Sequence, residues 1–532
     1  MLDIILKNGK IVDGTGNPWF YGDVGIKNDQ IVLLGNVAVD VEATEIIDVK
    51  GKVIAPGFID LHTHSDLAVF VNPLGEDKLQ QGVTTVVFGN CGLAPAPVSD
   101  DTAQSLKVYT EPIMGKKEGD WPWHTVGEYI DQLSKLPVSH NIATYVGNGA
   151  LRIAVKGFEK SPLTTKERDQ VKELLAEGLE AGAMGLTFGL LYSPEAYYST
   201  EELTDICSVL GKYHGVLSTH IRGEGNSLIP SIKEVIQIAE ATGISLNISH
   251  FKAAGKNNWG VVLDEAMGLI TEARNRGLDV TCDVYPYSAG STTIVSLLPP
   301  WSMVGGVEKA IERIKNPETR RKIYAELESE QSDWDNLVYS TGWDSVIVSS
   351  IQTQKNQELV GKSIAQIATQ RGQNGTDCAL DLMVEEGGNI AMIFFHMSEE
   401  DVKKVLTWDK SFVISDSLYS TDGIPHPRLY GTVPRLFAKY VREDKVLSLE
   451  QAVRKVTSFP AQRLKLSKRG LLVPGYVADI VVFDPDTIQD KATYMNPRQY
   501  PEGIDMVFVA GKKTIAYGKH LGTMNGQFLK RS

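Results

Sequence analysis

Hydrophobic and polar positions follow two different periods along this chain. Residues 1 to about 55 are short alternating runs broken by the turn signals "KNGK", "DGTGNP" and "VKGK", which predict a small β-meander. From Val53 onward, apolar runs of strand length recur: "VIAPGFIDLHTH", "TTVVFGNC", "NIATYVGN", "AMGLTFG", "GVLSTHI", "SLNISH" and "DVTCDVYP". Between them, "TTKERDQVKELLAEGLEAGA" and "IPSIKEVIQIAEATG" carry the three-to-four spacing of amphipathic helices that end at glycine. Strands that are apolar on both faces and alternate with helices predict a parallel sheet. Their count and length favour a (β/α)8 barrel of the TIM type.

The rhythm breaks after the seventh run. Residues from about 290 to 355, "STTIVSLLPPWSMVGG" and a charged helical stretch, read as an insertion. Two further runs follow; "SFVISDS" supplies the eighth strand and "AMIFFHM" is an extra one. The tail returns to β with "GLLVPGYVADIVVFDP" and "DMVFVAGKKTIAYGK". The latter repeats the strand, Gly-Lys turn, strand order of the opening "DIILKNGKIVDGTG", so both chain ends are expected to share one small β-sandwich. Residues 1–55 and 471–532 would form it, around a barrel at 56–470.

Composition narrows the class. A chain of 532 residues exceeds one ordinary core, and its 42% hydrophobic and 22% charged residues are those of a soluble globular protein. A formal net charge of −13 argues against nucleic acid or an anionic membrane as partner, since either selects a basic face. The opening "MLDIILKNGKIVDG" lacks the basic start and apolar core of a signal peptide, and no run approaches the ~18 apolar residues of a membrane span. Four cysteines, Cys91, Cys207, Cys282 and Cys378, are too few and too scattered for a disulfide framework. A reducing, cytoplasmic setting is expected, where a thiol is free to bind metal. None of this addresses the oligomeric state.

Candidate chemistry gathers at the carboxyl ends of the barrel strands, where such barrels build their sites. "DLHTH" places His62 and His64 two residues apart, so on a strand both imidazoles point the same way and can reach one metal ion. Alone, the pair reads equally well as two satisfied histidines. It is joined by His220 in "LSTHIRGEG", His250 in "LNISHFKAAG" and Asp416 in "FVISDSLYSTDG", each closing a predicted strand. Four histidines and a carboxylate on one lip point to a metal centre. Nearby Asp422, in the turn-like "STDGIP", suits a loop or cap role. Lys252 projects from the same lip as His250 and could neutralise a substrate carboxylate. Arg222 is a second candidate anion partner, with a loop salt bridge as its alternative. His396 on the apolar "AMIFFHM" reads as a hydrogen-bonded core residue, and His426 in "IPHPR" as a loop residue.

These segments carry a resemblance. "GKVIAPGFIDLHTHSD", "GNCGLAPAP", "GLLYSPEAYYS", "STHIRGEG", "ISHFKAAG", "DVYPYSAGST", "SDSLYSTDGIPHPRLYGTVPRLF" and "RGLLVPGYVADIVVFDP" together resemble, in order and over nearly the whole chain, the amidohydrolase superfamily and within it the N-acyl-D-amino-acid deacylases, or D-aminoacylases. The resemblance implies a zinc-dependent hydrolase of linear amides. Cys91 would stand in for the carboxylated lysine that many such barrels place on strand four, where this chain has "AMGLTFGLLY" and no lysine. Cys91, His220 and His250 would hold one zinc tightly, and His62, His64 and Asp416 would form a second, weaker site. A buried free cysteine used as a small hydrophobe is the alternative for Cys91 and describes the other three well.

Zinc supplies hydroxide near neutral pH and polarises an amide carbonyl, and Asp416 would act as general acid/base for that hydroxide attack. The resemblance adds Tyr192 to the carboxylate contacts of Lys252, and Tyr287 and Ser291 to the pocket. The apolar stretch Leu297, Leu298, Pro299, Pro300, Trp301 contains no arginine, which favours neutral or apolar D-side chains over acidic ones. Arg428 or Arg152 could still supply a guanidinium for an acidic substrate. Rival readings are a deacylase for acidic N-acyl-D-amino acids, a hydantoinase- or dihydroorotase-like cyclic-amide hydrolase, against which the missing lysine counts, and a non-catalytic scaffold, against which the full ligand set counts.

Overall fold

Eight parallel strands form a barrel in the computed structural model, which describes residues 1–38, 40–331, 333–419 and 423–531. They are β1 (Phe58–Asp60), β2 (Val83–Phe88), β3 (Asn141–Thr144 continued by Val146–Gly147), β4 (Gly185–Gly189), β5 (Val216–His220), β6 (Ser245–Ile248), β7 (Val280–Val284) and β8 (Ser411–Val413). Pairing runs in sequence order, and β8 lies beside β7. The ring closes just past the ends of β1 and β8. There the Asp416 N–H donates to the His62 carbonyl (2.8 Å) and the His64 N–H to that of Ser417 (3.0 Å). Closure thereby joins two of the sequence's candidate ligand segments.

The helices follow from local signals. Thr165–Ala181 opens with a reciprocal capping box between Thr164 and Glu167 and buries Val171, Leu175 and Leu179 at three-to-four spacing against the barrel. It stops where Gly182 turns left-handed.

The insertion is longer than its composition suggests. It leaves β7 as the strand Ala289–Thr293 and returns only after Ile390–Phe395, reaching His396 rather than ending near 355. Its three antiparallel strands place Ile390–Phe395 in the centre, flanked by 289–293 and by Val346–Ile351. The helices Ile364–Arg371 and Gly375–Glu385 look in sequence like a resumed barrel rhythm. They instead pack Ile367, Cys378 and Leu382 into the insertion's own core with Val348 and Met392. "AMIFFHM" is accordingly no barrel strand.

Both chain ends enter one nine-stranded sheet. Along Ile480–Phe483 the side chains alternate. Ile480 and Val482 join Ile4, Leu6 and Val24 in the sheet's own core, while Val481 and Phe483 face the barrel. Burial on both sides explains why this strand reads as an unbroken apolar run. The final residues leave the sheet and run beside β3, where Ile142 N–H donates to the Gln527 carbonyl (3.0 Å) and Leu529 N–H to that of Ile142 (2.7 Å). No described helix is long and apolar enough to cross a membrane.

Candidate metal centre and substrate pocket

Cys91 owes its position to the turn that ends β2. The Asn90 side-chain amide donates to the carbonyls of Leu61, Thr63 and Val87, tying this turn to the strand that carries His62 and His64. Gly92 follows with φ +70°, and a β-carbon there would come within 1.6 Å of Glu195 Oε1, so only glycine fits. Glu195 is itself buried, its carboxyl pushed up to about 8 by desolvation, and accepts from Asn148 Nδ2 and the Gly189 N–H.

Five donor atoms converge beyond this turn. Cys91 Sγ lies 3.3 Å from His62 Nε2 and 3.6 Å from His250 Nε2, and Asp416 Oδ1 lies 3.4 Å from His62 Nε2 and 3.3 Å from His64 Nε2. All five residues are buried. The sets of three donors within 4.8 Å of one another are His62–Cys91–His250, His62–His64–Asp416 and His220–Glu224–His250. The expected second set is thus present as a unit. The expected first set is not, because His220 Nε2 leans towards Glu224 (3.9 Å) and groups with that carboxylate and His250 instead of with Cys91.

The donor set fits a soft divalent cation. Desolvation first, and neighbouring positive groups after it, push His62, His220 and His250 below the usual imidazole range, which leaves neutral rings with free lone pairs. Burial, reinforced by the carboxylates of Asp416, Asp283 and Glu224, drives the Cys91 thiol well above its ordinary range, so a thiolate there requires a compensating cation. Both ring nitrogens of His220 and the Nδ1 atoms of His62 and His64 are buried without a hydrogen-bond partner among the described residues. Cys91, His250 and Asp416 also take the left-handed backbone, at φ +54°, +35° and +48°. Each such non-glycine residue costs about 1–3 kcal/mol, a strain that concentrates at functional sites.

A shell of charges holds these groups. Burial alone would raise the Asp416 carboxyl, but the buried Arg428 guanidinium at 3.0 Å from Oδ2, with His62, holds it well below the usual carboxylate range. Lys78 is buried beneath the site, where its ammonium donates to Asp60 Oδ2 (3.1 Å) and to the hydroxyls of Ser415 and Ser417 (2.8 Å each), the two neighbours of Asp416. Glu224 Oε1 lies 2.5 Å from Lys252 Nζ and 2.9 Å from His250 Nδ1. Asp283, pushed up to about 7 by burial, accepts the His250 N–H (2.5 Å).

A cavity of about 70 Å³ opens above the cluster. His64, Cys91, His220, His250, Lys252 and Asp416 line it, together with Tyr192, Tyr285 and Ser291. The rest of its wall is largely apolar, including Ile113, Leu297, Met392, Phe394 and Leu418, and Lys252 is the one lysine or arginine on it among the described residues. Two expected substrate contacts lie elsewhere. Arg222 is bound to Glu234 (3.0 Å) and to the carbonyls of Ala196 and Tyr198 and faces a neighbouring chamber, the salt-bridge alternative. Tyr287 is packed behind the wall against His426, Tyr494 and Arg435; the chain leaves β7 in a tight turn about Pro286, where the Tyr287 N–H donates to the Tyr285 carbonyl (2.9 Å), and Tyr285 lines the cavity instead. Arg152 is also away from the cavity, over the Tyr198 ring and bonded to the carbonyls of Glu159 and Ser161. Asp422 lies outside the described residues.

A model described as "Amidohydrolase family" matches residues 45–326 and 415–515, most of the chain. The chain belongs to the amidohydrolase family. Within the family, this amidohydrolase is 32% identical to a D-aminoacylase of Alcaligenes xylosoxydans xylosoxydans over 531 residues, covering 100% of this chain and 98% of the relative. It is 33% identical to an N-acyl-D-glutamate deacylase of the same organism over 96% of this chain and 93% of the relative. A solved N-acyl-D-glutamate deacylase from Bordetella bronchiseptica, complexed with zinc and a phosphonate mimic of the tetrahedral intermediate, superposes with a TM-score of 0.84 at 31% identity, with 99% of both chains covered.

Five residues at or behind the cluster have a setting in the amidohydrolase that a reading of its sequence does not give. Glu224 stands in plain view in "RGEG", but only its approach to Lys252 and His250 gives it significance. Lys78 is 337 and 339 residues from the serines it reaches and Asp60 is 355 from Ser415, and Arg428 reads as a candidate substrate group until its pairing with Asp416 is seen. His396, expected in the core with its hydrogen bonds made, lines the cavity instead.

Proposed function

We propose that this protein is a zinc-dependent deacylase that hydrolyses N-acyl-D-amino acids with neutral, apolar side chains, releasing a carboxylate and the free D-amino acid. The observation that carries this reading is a cavity with a Cys–His–Asp cluster at its floor, one lysine on its wall and an otherwise largely apolar lining. Zinc, when bound, supplies Lewis acidity towards the amide carbonyl and the attacking water. Cys91, His250 and His220, with His62, His64 and Asp416, are the residues that would hold it, one ion tightly and a second more weakly. Asp416, kept ionised by Arg428, takes the proton from the attacking water and delivers it to the amide nitrogen, a poor leaving group until protonated. Lys252 anchors the free α-carboxylate, with Tyr192 and Ser291 nearby. Glu224 holds the Lys252 ammonium in place.

Identity alone does not choose the side chain, since the two relatives differ in substrate and stand at 32% and 33%. The pocket supports the choice. Lys252, the cavity's one cation, already faces Glu224, and Arg428 is committed to Asp416, so an acidic side chain would find no free guanidinium to grip it. Preference for the D-form follows the relatives' named substrates. The reduced thiol that a Cys91 ligand requires suits a cytoplasmic setting.

The test is amine release from N-acetyl-D-methionine, N-acetyl-L-methionine and N-acetyl-D-glutamate by zinc-loaded protein, with a chelated control. Chelator-sensitive cleavage of the D-methionine derivative alone is the expected result. Preferential cleavage of the glutamate derivative would overturn the side-chain assignment, and no cleavage of any would overturn the deacylase reading.

A further inference from the structure

His396 is carried to the barrel mouth at the end of the inserted strand Ile390–Phe395. The residue is 7% exposed and lines the same cavity as the candidate metal ligands. Neither ring nitrogen has a hydrogen-bond partner among the described residues, and the nearest backbone group is that of Phe394. Burial, followed by the Lys252 ammonium, pushes the ring down to about 3, so it is neutral and offers one N–H donor and one acceptor. A buried polar group is destabilising while it lacks a partner, and a substrate group can supply one.

The backbone that carries the ring is tied to the loop of Lys252. The His396 carbonyl accepts from the Gly255 N–H (2.9 Å) and from Trp259 Nε1 (3.0 Å), both in the loop that follows Lys252. Facing the ring is Gly290, where a β-carbon would stand 2.7 Å from His396 Cε1 and 3.1 Å from the Tyr285 hydroxyl. The missing side chain lets the imidazole and the phenol close on the bare backbone, on a wall that also carries Lys252 and Ser291. The Ser291 hydroxyl already donates to the Met392 carbonyl (2.8 Å), which leaves an imidazole N–H, a phenol and an ammonium, a set of donors that suits a carboxylate.

We propose that His396 is a specificity-determining contact that donates its ring N–H to the free α-carboxylate of the N-acyl amino acid, beside Lys252 and Tyr285. This rests on the deacylase reading above. A residue on the insertion would then discriminate free acids from amides.

His396→Phe keeps the ring's bulk and removes the donor. Its kinetics on N-acetyl-D-methionine and the corresponding carboxamide, its zinc content, and calorimetric binding of the product D-methionine test the assignment. The preference for the acid over the carboxamide is expected to fall about tenfold or more, chiefly through KM, with zinc content unchanged and D-methionine binding weakened by a similar factor. His396→Gln, which restores an N–H, should recover part of the preference. Gly290→Ala, whose methyl would push against the imidazole and shift its N–H while leaving the ring's chemistry intact, should lose it. An unchanged acid-to-carboxamide ratio in His396→Phe, while the unmodified protein cleaves the acid, overturns this inference and leaves the deacylase reading standing. Failure of the unmodified protein both to cleave any N-acyl-D-amino acid and to bind D-methionine overturns both.

Discussion

Replacing Lys78 by methionine removes a buried ammonium that holds three partners at once. The ion pair to Asp60 spans 3.1 Å with both side chains almost wholly buried, and two further hydrogen bonds of 2.8 Å run to Ser415 and Ser417. Methionine matches the stem but leaves Asp60 as an unpaired carboxylate, with only the N–H groups of Ser415 (3.0 Å) and His62 (3.4 Å) still pointing at it. Breaking a buried pair from one side costs about 3–5 kcal/mol. At an effective dielectric constant of ~20, a 3.1 Å separation corresponds to ~5 kcal/mol of attraction, in the same range. The expected loss is about 4 kcal/mol of barrel stability, read by urea unfolding of the zinc-loaded protein. Removing Asp60 as well should return about 2 kcal/mol of it, because the stranded charge disappears. Activity should fall too, by roughly tenfold or more, since the two serines flank Asp416 and set its left-handed backbone. A Lys78→Met variant within about 1 kcal/mol of the parent, or single and double losses that simply add, would refute the argument that this ammonium locks strand one to strand eight.

Other consequences are open to simpler tests. Cys91→Ala should lose bound zinc and hydrolysis together; full metal retention, measured by atomic absorption, would remove the thiol from the ligand set. Asp416→Asn should retain the tightly held zinc while kcat falls about 10²–10⁴-fold, and near-normal turnover would end its role as general acid/base. Lys252→Ala should raise KM for substrates with a free α-carboxylate and leave their carboxamides little changed; equal effects on both would make Lys252 a bystander. Glu167, held down at about 2 by Lys156 and the Thr164 N–H, contributes stability that is present above the ordinary carboxyl range near pH 4.3 and is lost as pH falls towards 2. Glu167→Gln should flatten that acid limb of an unfolding curve, and an unchanged limb would remove this pair from the account.

The barrel is legible in the local pattern of the chain. Seven of the eight strands are apolar runs of their own, and the first shares its run with Val53–Pro56 of the terminal sheet; this local pattern survives because burial on both faces leaves little other choice of residue. It also fixed the candidate chemistry of Cys91, His62, His64, His220, His250 and Asp416, since a ligand placed at a strand's carboxyl end is legible from the strand. Whatever depends on two distant segments meeting was left to the tertiary structure. The insertion's end at His396 was hidden because its helices carry the same amphipathic period as barrel helices, and only their shared core separates them. Tyr285 and Tyr287 are both aromatic and two residues apart, so composition could not say which one faces the cavity. The pairing of Arg428 with Asp416, of Lys78 with Asp60, and of Glu224 with Lys252 and His250 joins residues whose neighbours along the chain give no sign of a partner. Charge–charge contacts inside a protein act through space over a few ångströms, and only the closed barrel brings those atoms that near.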